Sequence, residues 1–262
     1  MPIETITILG GCGKSGSPEP VHRIDLRMGD VVSIVGPTGS GKTTLINDIE
    51  LFADANTPTG RRILINGRPA PPEYRDDPSR NPIALITQHT TFLSDLPVED
   101  FLLTHARIRA TDGTVAESLL ERTLAFANQL TGEPILIKNR MTELSGGQTR
   151  ALLIADATVV CDTPIVLLDE VENAGIHRSR ALELLREHRK IFIFVTHDPR
   201  IALLSDYRIV MRGGTIRQVL HTDENERLVS ARVSQLDDLL SRLRDHLRAG
   251  QRLDAADLEG WA

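Results

Sequence analysis

The sequence predicts an α/β domain that is interrupted by a helical insertion and followed by a helical tail. Strand-like apolar runs alternate with helical or loop-rich segments along most of the chain. This strand character disappears over residues 97–141, and from residue 223 onward the chain is charged and rich in leucine. A chain of 262 residues suits one sizeable domain with smaller additions. We therefore predict a sheet domain over residues 1–96 and 142–222, an inserted helical subdomain over 97–141 and a helical tail over 223–262.

The strands of the predicted sheet are short apolar runs. The N-terminal run MPIETITILGG alternates Thr and Ile and carries Glu4, which indicates a strand and not a signal peptide. Five later runs are typical of parallel strands: VVSIVG, RILING, IALITQ, PIVLLDE and KIFIFVTH. The run YRIVMRGGTIRQV predicts a hairpin that turns at Gly213 and Gly214.

The composition limits the possible partners and sites. The formal net charge is -6 and the pI is about 5.8, which argues against a nucleic-acid-binding protein because such surfaces need clustered Lys and Arg. Cys12 and Cys161 are far apart and lack metal-ligand spacing, so we expect neither a disulfide framework nor a zinc site. No run reaches the roughly 18 apolar residues that a membrane-spanning helix needs. We expect a cytoplasmic protein, either in solution or peripheral on the inner face of a membrane.

The run GPTGSGKTT fits the phosphate-binding pattern G-x-x-x-x-G-K-[ST] in full and directly follows a predicted strand. Its glycines allow backbone N–H groups to turn toward a phosphate, Lys42 can contact the β- and γ-phosphates, and Thr43 can bind Mg²⁺. The alternative, a purely structural glycine turn, does not explain the strand and helix on either side. We expect the whole run to bind nucleotide: Gly36, Pro37, Thr38, Gly39, Ser40, Gly41, Lys42, Thr43 and Thr44.

A second glycine-rich run, GGCGKSG over residues 10–16, imitates this pattern but has Ile8 where the first glycine is required. We interpret it as a flexible loop. The alternative is that it covers the nucleotide, because its glycines and Lys14 would lie near the sheet end if the first strand runs beside the second.

Further motifs could complete a phosphate site. The run PIVLLDE ends an apolar strand in Asp169, which would hold Mg²⁺, and Glu170, which could polarise the attacking water. LSGGQ, over residues 144–148, opens a predicted helix whose positive end suits a phosphate. Gln88 follows one strand, and THD, over residues 196–198, follows another.

This order of motifs resembles that of the ATP-binding cassette (ABC) ATPases over roughly residues 24–219. The resemblance implies an α/β P-loop NTPase sheet domain of ABC type that binds ATP and Mg²⁺ and hydrolyses ATP. It also implies a head-to-tail homodimer, in which each ATP lies between the phosphate loop of one chain and the LSGGQ signature of the other. The residues it assigns are Gln88, Glu170 and His197 to catalysis, Thr43, Gln88 and Asp169 to the metal, and Ser145, Gly146, Gly147 and Gln148 to the partner's nucleotide. We interpret His89, His105 and His188 as structural.

The chain departs from the family pattern in three places. No Phe, Tyr or Trp precedes Phe52, and His22 is the only earlier ring, so the aromatic residue that usually stacks on adenine is missing. Base selectivity is then either weak or achieved by the loop at residues 10–16. After Glu170 the family usually has Pro-Thr-Ser-Ala-Leu-Asp, whereas this chain has VENAGIH. This segment, the D-loop, crosses the dimer, and either Asn173 or His177 could replace its aspartate; Asn173 could also cap the next helix. The third departure is Asp156, where the family generally has Arg.

The motifs do not identify what the ATP drives. The altered D-loop and the tail favour a soluble protein or enzyme machine as the partner. The alternative is the ATP-binding subunit of a membrane transporter, because LPVEDFLL resembles the segment at which membrane subunits dock in the family. In the tail, apolar residues alternate spacings of four and three. We expect this stripe to pack on the parent domain, with pairing between protomers or docking to another protein as alternatives; it comprises Val229, Val233, Leu236, Leu240, Leu243 and Leu247.

Overall fold

The chain folds around two β-sheets in the computed structural model, which describes residues 2–77, 80–87, 89–109, 113–169 and 178–254. The strands are β1 (Thr5–Leu9), β2 (Arg23–Arg27), β3 (Val31–Val35), β4 (Arg62–Ile65), β5 (Arg68–Pro69), β6 (Ile83–Thr87), β7 (Ile165–Asp169), β8 (Ile191–Val195), β9 (Tyr207–Arg212) and β10 (Thr215–His221). The helices are α1 (Lys42–Glu50), α2 (Glu73–Asp76), α3 (Val98–Arg109), α4 (Gly113–Leu130), α5 (Gly146–Ala155), α6 (Arg178–Glu187), α7 (Pro199–Leu204) and α8 (Glu224–Arg248). A 3₁₀ turn covers Met141–Glu143, and a π-helical turn covers Asp156–Val160.

The central sheet has the strand order β10-β9-β3-β8-β7-β6. The strands from β6 to β9 in this order run parallel, and β10 pairs with β9 in antiparallel fashion. The continuous apolar runs of β3, β7 and β8 fit this position because both faces of a central parallel sheet are covered. The β9–β10 hairpin turns at Gly213 and Gly214, whose φ angles of 61° and 83° suit a tight two-residue turn. The predicted parallel sheet and hairpin are confirmed.

The run RILING is the exception, since it forms β4 in the second sheet, whose order is β2-β1-β4-β5. There β4 pairs with β1 in antiparallel fashion, with Ile65 opposite Ile6. Its placement in the parallel sheet was therefore a wrong prediction. The physical reason is its alternation: Ile63 is buried while Arg62 is exposed, as expected of a strand with one covered face.

Two apolar cores lie on the two faces of the central sheet. Side chains alternate between them along β3, so that Val31 faces one core and Val32 the other. The first core joins the sheet to α3, α4, α5 and α6, while the second joins it to α1 and the antiparallel sheet. The helix that follows the phosphate loop and the helix that follows the signature therefore pack on opposite faces of one sheet.

The helical character predicted for residues 97–141 corresponds to α3 and α4. Backbone bonds draw the two ends of this segment together: Val98 N donates to Asn139 O at 2.9 Å, and Met141 N donates to Leu96 O at 3.0 Å. This closure explains how an insertion can interrupt the sheet domain without separating its strands. The domain bounds given above remain predictions. None of the helices in the described ranges is both long and apolar enough to cross a bilayer.

The predicted helical tail forms α8, but its apolar stripe is not the face that packs on the domain. Val229, Leu236 and Leu240 are exposed, whereas Ser230 and Leu239 are buried. Helix α8 is held through charges as well, because Glu226 pairs with Arg208 on β9 and Asp237 pairs with Arg200 on α7. The expectation that the stripe itself packs on the parent domain is corrected: the helix packs, and most of the stripe remains uncovered.

Candidate functional site

The phosphate loop occupies residues 36–41, between the end of β3 and the start of α1. Gly39 and Gly41 have φ angles of 76° and 101°, which other residues rarely adopt. A Cβ at Gly41 would lie 2.9 Å from Gly214 Cα, and one at Gly36 would lie 2.4 Å from Met211 O. The loop is therefore wrapped so tightly against the β9–β10 hairpin that only glycine fits at these positions.

Lys42 lies at the first position of α1 and bends back over the loop. Its Nζ donates to Gly36 O at 2.9 Å and to Pro37 O at 3.4 Å. Thr43 and Thr44 are exposed on the first turn of the same helix, where backbone N–H groups favour an anion. Ser40 is buried, and its Oγ has no hydrogen-bond partner among the residues described. This combination of a helix N-terminus, glycine turns and a lysine fits a nucleotide polyphosphate.

The carboxyl ends of the parallel strands bring other predicted residues to the same edge. Asp169 ends β7 and lies opposite Val195, the last residue of β8. Ile34 on β3 is also opposite Val195, so Asp169 and the segment after β8 lie at the edge where the phosphate loop begins. Thr87 is opposite Asp169 at the end of β6. Gln88 and Glu170 follow these strands in sequence but lie outside the described residues, as do Asn173 and His177.

His197 is exposed in the short segment between β8 and α7. Hydrogen bonds fix its neighbours: Asp198 N donates to Thr196 Oγ1 at 2.8 Å, and the Asp198 carboxylate accepts from Arg200 N at 2.9 Å, which caps α7. Arg200, which also binds the Asp198 carboxylate, pairs with Asp237, so α8 contacts the residues that fix this segment. The residues on either side of His197, Thr196 and Asp198, are thus fixed by hydrogen bonds.

The signature residues build the start of α5. Ser145 Oγ accepts from Gln148 N at 3.3 Å, while Gln148 Oε1 accepts from Ser145 N at 2.9 Å, a reciprocal capping box. Ser145 and Gly146 are exposed. Because α5 packs on the face of the central sheet opposite α1, the signature helix and the helix after the phosphate loop lie on different faces of the sheet.

The loop at residues 10–16 contacts the phosphate loop directly. Lys14 Nζ donates to Gly39 O at 3.0 Å, and Lys14 N donates to Gly213 O at 3.3 Å. The sequence predicted a flexible loop, with a position near the sheet end as the alternative, and these contacts place Lys14 beside the phosphate loop. Strand β1 does not lie beside β3, the strand that precedes the phosphate loop. The loop at residues 10–16 reaches the site because the antiparallel sheet packs on the same core as α1.

A buried ion network holds the loop at residues 10–16 in place. Arg61 is completely buried and donates to Glu19 Oε1 at 2.6 Å and to Asp48 Oδ2 at 2.8 Å. Glu19 also accepts from Gly11 N at 2.9 Å and from Ile216 N at 2.6 Å. Burial alone would raise the pKa of Glu19, but these hydrogen bonds hold the pKa below its ordinary value. The network therefore joins the loop, α1 and the β9–β10 hairpin, which together surround the phosphate loop.

Comparisons with known proteins agree with this geometry. The family model described as "ABC transporter" matches residues 22–173. The chain is 46% identical over 258 residues to an uncharacterized ABC transporter ATP-binding protein of Methanocaldococcus jannaschii, covering 98% of both chains. Among solved structures, cbiO1 of Clostridium perfringens, described as part of the ABC transporter complex cbiONQ, is similar with a TM-score of 0.66 and 21% identity, covering 92% of this chain and 100% of that one.

A second solved structure is a dimeric ATP-binding cassette in a post-hydrolysis state with ADP and Pi, with a TM-score of 0.60 and 21% identity over 83% of this chain and 99% of that one. At this identity the two structures establish the fold. The family match and the full-length relative establish membership. Together with the phosphate loop built between β3 and α1, they show that the chain belongs to the ABC family and is an ATP-hydrolysing ATP-binding cassette.

Proposed function

We propose that this chain is the ATP-binding subunit of a membrane transporter. The observation that carries this proposal is the full-length similarity to a protein named as an ABC transporter ATP-binding protein. The similar fold of cbiO1, which is part of a transporter complex, supports it. These findings favour the transporter alternative over the soluble machine that the altered D-loop and the tail suggested.

An exposed apolar segment offers a surface for the membrane subunit. Leu93 is fully exposed and Leu96 is 45% exposed in the segment that leads from β6 into α3. Val98 and Leu102, which follow, are buried core residues. Most apolar residues of LPVEDFLL therefore belong to the core. Leu93, which precedes this run, and Leu96, its first residue, remain exposed and available to a partner.

Substitution of exposed leucines distinguishes a membrane subunit from a cytosolic partner. Leu93→Asp should abolish co-purification of the tagged chain with a multi-span membrane subunit from gently solubilised source cells. Leu236→Asp, at an exposed leucine of the α8 stripe, is the control and should leave that co-purification unchanged. Loss of a cytosolic partner in Leu236→Asp, with no membrane subunit recovered by any variant, would instead support the soluble machine, the second candidate that the uncovered stripe of α8 favours.

We further propose that two copies of the chain bind two ATP molecules head to tail. The position of the signature helix and α1 on opposite faces of the sheet supports this arrangement, because the exposed signature of one copy can then complete the phosphate loop of another. The dimeric form of a similar cassette is consistent with it. In each site, Lys42 and the N–H groups of α1 hold the phosphates, and Ser145 and Gly147 of the second copy contact the γ-phosphate.

Mg²⁺ suits the hydroxyl of Thr43, on the first turn of α1, and the carboxylate of Asp169, at the end of β7, because both are hard oxygen ligands. Bound Mg²⁺ would neutralise phosphate charge. Gln88 would contribute a further oxygen, Glu170 would orient and polarise the water, and His197 would contact the γ-phosphate and support Glu170. These roles can be tested with Glu170→Gln, which should bind ATP and accumulate as a dimer in gel filtration. Hydrolysis by this variant at the parental rate would remove Glu170 from its proposed role.

A further inference from the structure

Three potential metal ligands converge outside the nucleotide site, where α3 meets the end of the signature helix. His105 Nδ1 lies 2.8 Å from Asp156 Oδ1, and Cys161 Sγ lies 3.8 Å from both His105 Nε2 and Asp156 Oδ2. One ligand atom from each residue lies within 4.8 Å of the others. The composition predicted no zinc site, and the cluster is not visible in the sequence because His105 and Cys161 are separated by more than 50 residues.

The π-helical turn at Asp156–Val160 creates the cluster. In an α-helix, residues five positions apart differ by about 140° around the axis and face different ways. Here Cys161 N donates to Asp156 O at 2.9 Å, and this wider turn brings the two side chains toward the same face. Such turns are rare and frequently mark functional sites.

The chemistry of the three side chains suits a thiophilic metal. Imidazole, carboxylate and thiolate are the ligands of Zn²⁺, and a tetrahedral ion with bonds of about 2.0–2.3 Å separates its ligand atoms by about 3.3–3.6 Å. The two distances of 3.8 Å from Cys161 Sγ are within a few tenths of an ångström of this range, and the ligand atoms of His105 and Asp156 lie within 4.8 Å of each other. The side chains of His105 and Asp156 are 27% and 11% exposed, so the cluster is sheltered but can be reached from solvent.

The ion pair between His105 and Asp156 would compete with metal binding. The hydrogen bond to Asp156 raises the pKa of His105 to about 10. Because ligands must be deprotonated to bind a metal, binding would release protons to solvent. Nitrogen and sulfur donors suit ions of the Zn²⁺ class, whereas Mg²⁺ and Ca²⁺ prefer oxygen ligands.

We propose that His105, Asp156 and Cys161 form a binding site for a transition-metal dication of the Zn²⁺ class, with a fourth position left for water. The site connects α3 of the helical insertion to the C-terminal end of the helix that begins with the signature. A bound ion would fix the angle between these helices. This inference does not depend on whether the partner is a membrane subunit or a soluble protein.

Cobalt titration of chelator-treated, full-length protein tests the proposal. We expect one equivalent of Co²⁺ to produce a thiolate-to-cobalt charge-transfer band in the near ultraviolet and visible bands of tetrahedral intensity, and Zn²⁺ to bleach both. Cys161→Ser should abolish the charge-transfer band, whereas Cys12→Ser, which removes the other and exposed cysteine, should retain it. His105→Gln should weaken Co²⁺ binding at least tenfold.

Cys161→Ser keeps the His105–Asp156 pair, so it remains informative even if the other variants fold poorly. Zn²⁺ should also raise the Tm of the parental protein and not that of Cys161→Ser. The proposal is overturned if one equivalent of Co²⁺ gives no charge-transfer band, or if the band survives in Cys161→Ser and disappears in Cys12→Ser. Either result would leave the cluster as an ion pair that joins two helices.

Discussion

Substitution of Arg61 by Met should be among the most destabilising single changes in the domain. Arg61 donates to Glu19, to Asp48 and, at 2.9 Å, to the carbonyl oxygen of Gly214. The side chains of Glu19 and Asp48 are 0% and 3% exposed. Methionine fills a similar volume but leaves both carboxylates buried without their cation.

The expected magnitude follows from this burial. Removing one partner from a buried ion pair typically costs about 3–5 kcal/mol, because the remaining charge is left uncompensated. For a chain of this size, each kcal/mol lowers Tm by about 2–4 °C, so we expect a decrease of about 10 °C. Arg61→Lys should not restore the loss, since one ammonium group cannot reproduce the fork that reaches two carboxylates.

Thermal and urea unfolding of Arg61→Met provide the assay, with Arg23→Met as the matched control. Arg23 pairs with Asp25 at 2.8 Å, but these side chains are 61% and 37% exposed. Such a solvent-exposed pair contributes little to stability. If Arg61→Met and Arg23→Met have unfolding free energies within 1 kcal/mol of each other, the reasoning about the buried network is wrong.

Three further predictions concern the residues around the phosphate loop and the bound nucleotide. Glu19 has a lowered pKa, so it contributes stability above its ordinary pKa of 4.5 and loses that contribution as the pH falls through its folded-state pKa; acid unfolding of Glu19→Gln should therefore depend less steeply on pH below 4.5. Lys14→Met should weaken ATP binding about fivefold, or about 1 kcal/mol, as measured by calorimetry, whereas Lys138→Met at an exposed ion pair should not; equal affinities would show that Lys14 serves only the loop. Because no aromatic residue precedes the phosphate loop, GTP should compete with labelled ATP, and a preference for ATP above about a hundredfold, or 2.7 kcal/mol, would contradict this expectation.

The parts of the fold that the sequence predicts are those that depend on local pattern. The phosphate loop is recognisable because its glycines, Lys42 and the preceding apolar strand are contiguous. The β9–β10 turn is recognisable for the same reason, since two adjacent glycines suit its backbone. The order of the motifs then gives the family and, with it, the expected use of the sheet edge.

The remaining features depend on contacts between distant residues. The alternation in β4 indicates a half-covered strand but does not say which strand it pairs with, so its sheet was assigned wrongly. The apolar stripe of α8 was expected to be the packed face, but charges at Glu226 and Asp237 orient the helix differently. Arg61 looks like any surface arginine in the sequence, and only the fold shows that Glu19 and Asp48 enclose it.

The head-to-tail site can be tested most directly by mixing two inactive variants. Lys42→Ala disables the phosphate loop, and Ser145→Arg blocks the signature, so each homodimer should lack ATPase activity. A mixed dimer has one site in which both parts are intact, because the loop of one chain meets the signature of the other. At equal concentrations, half of the dimers are mixed and each has one of two sites, so we predict about a quarter of parental activity. Absence of any recovery, with both variants folded and dimeric, would contradict a site shared between two chains.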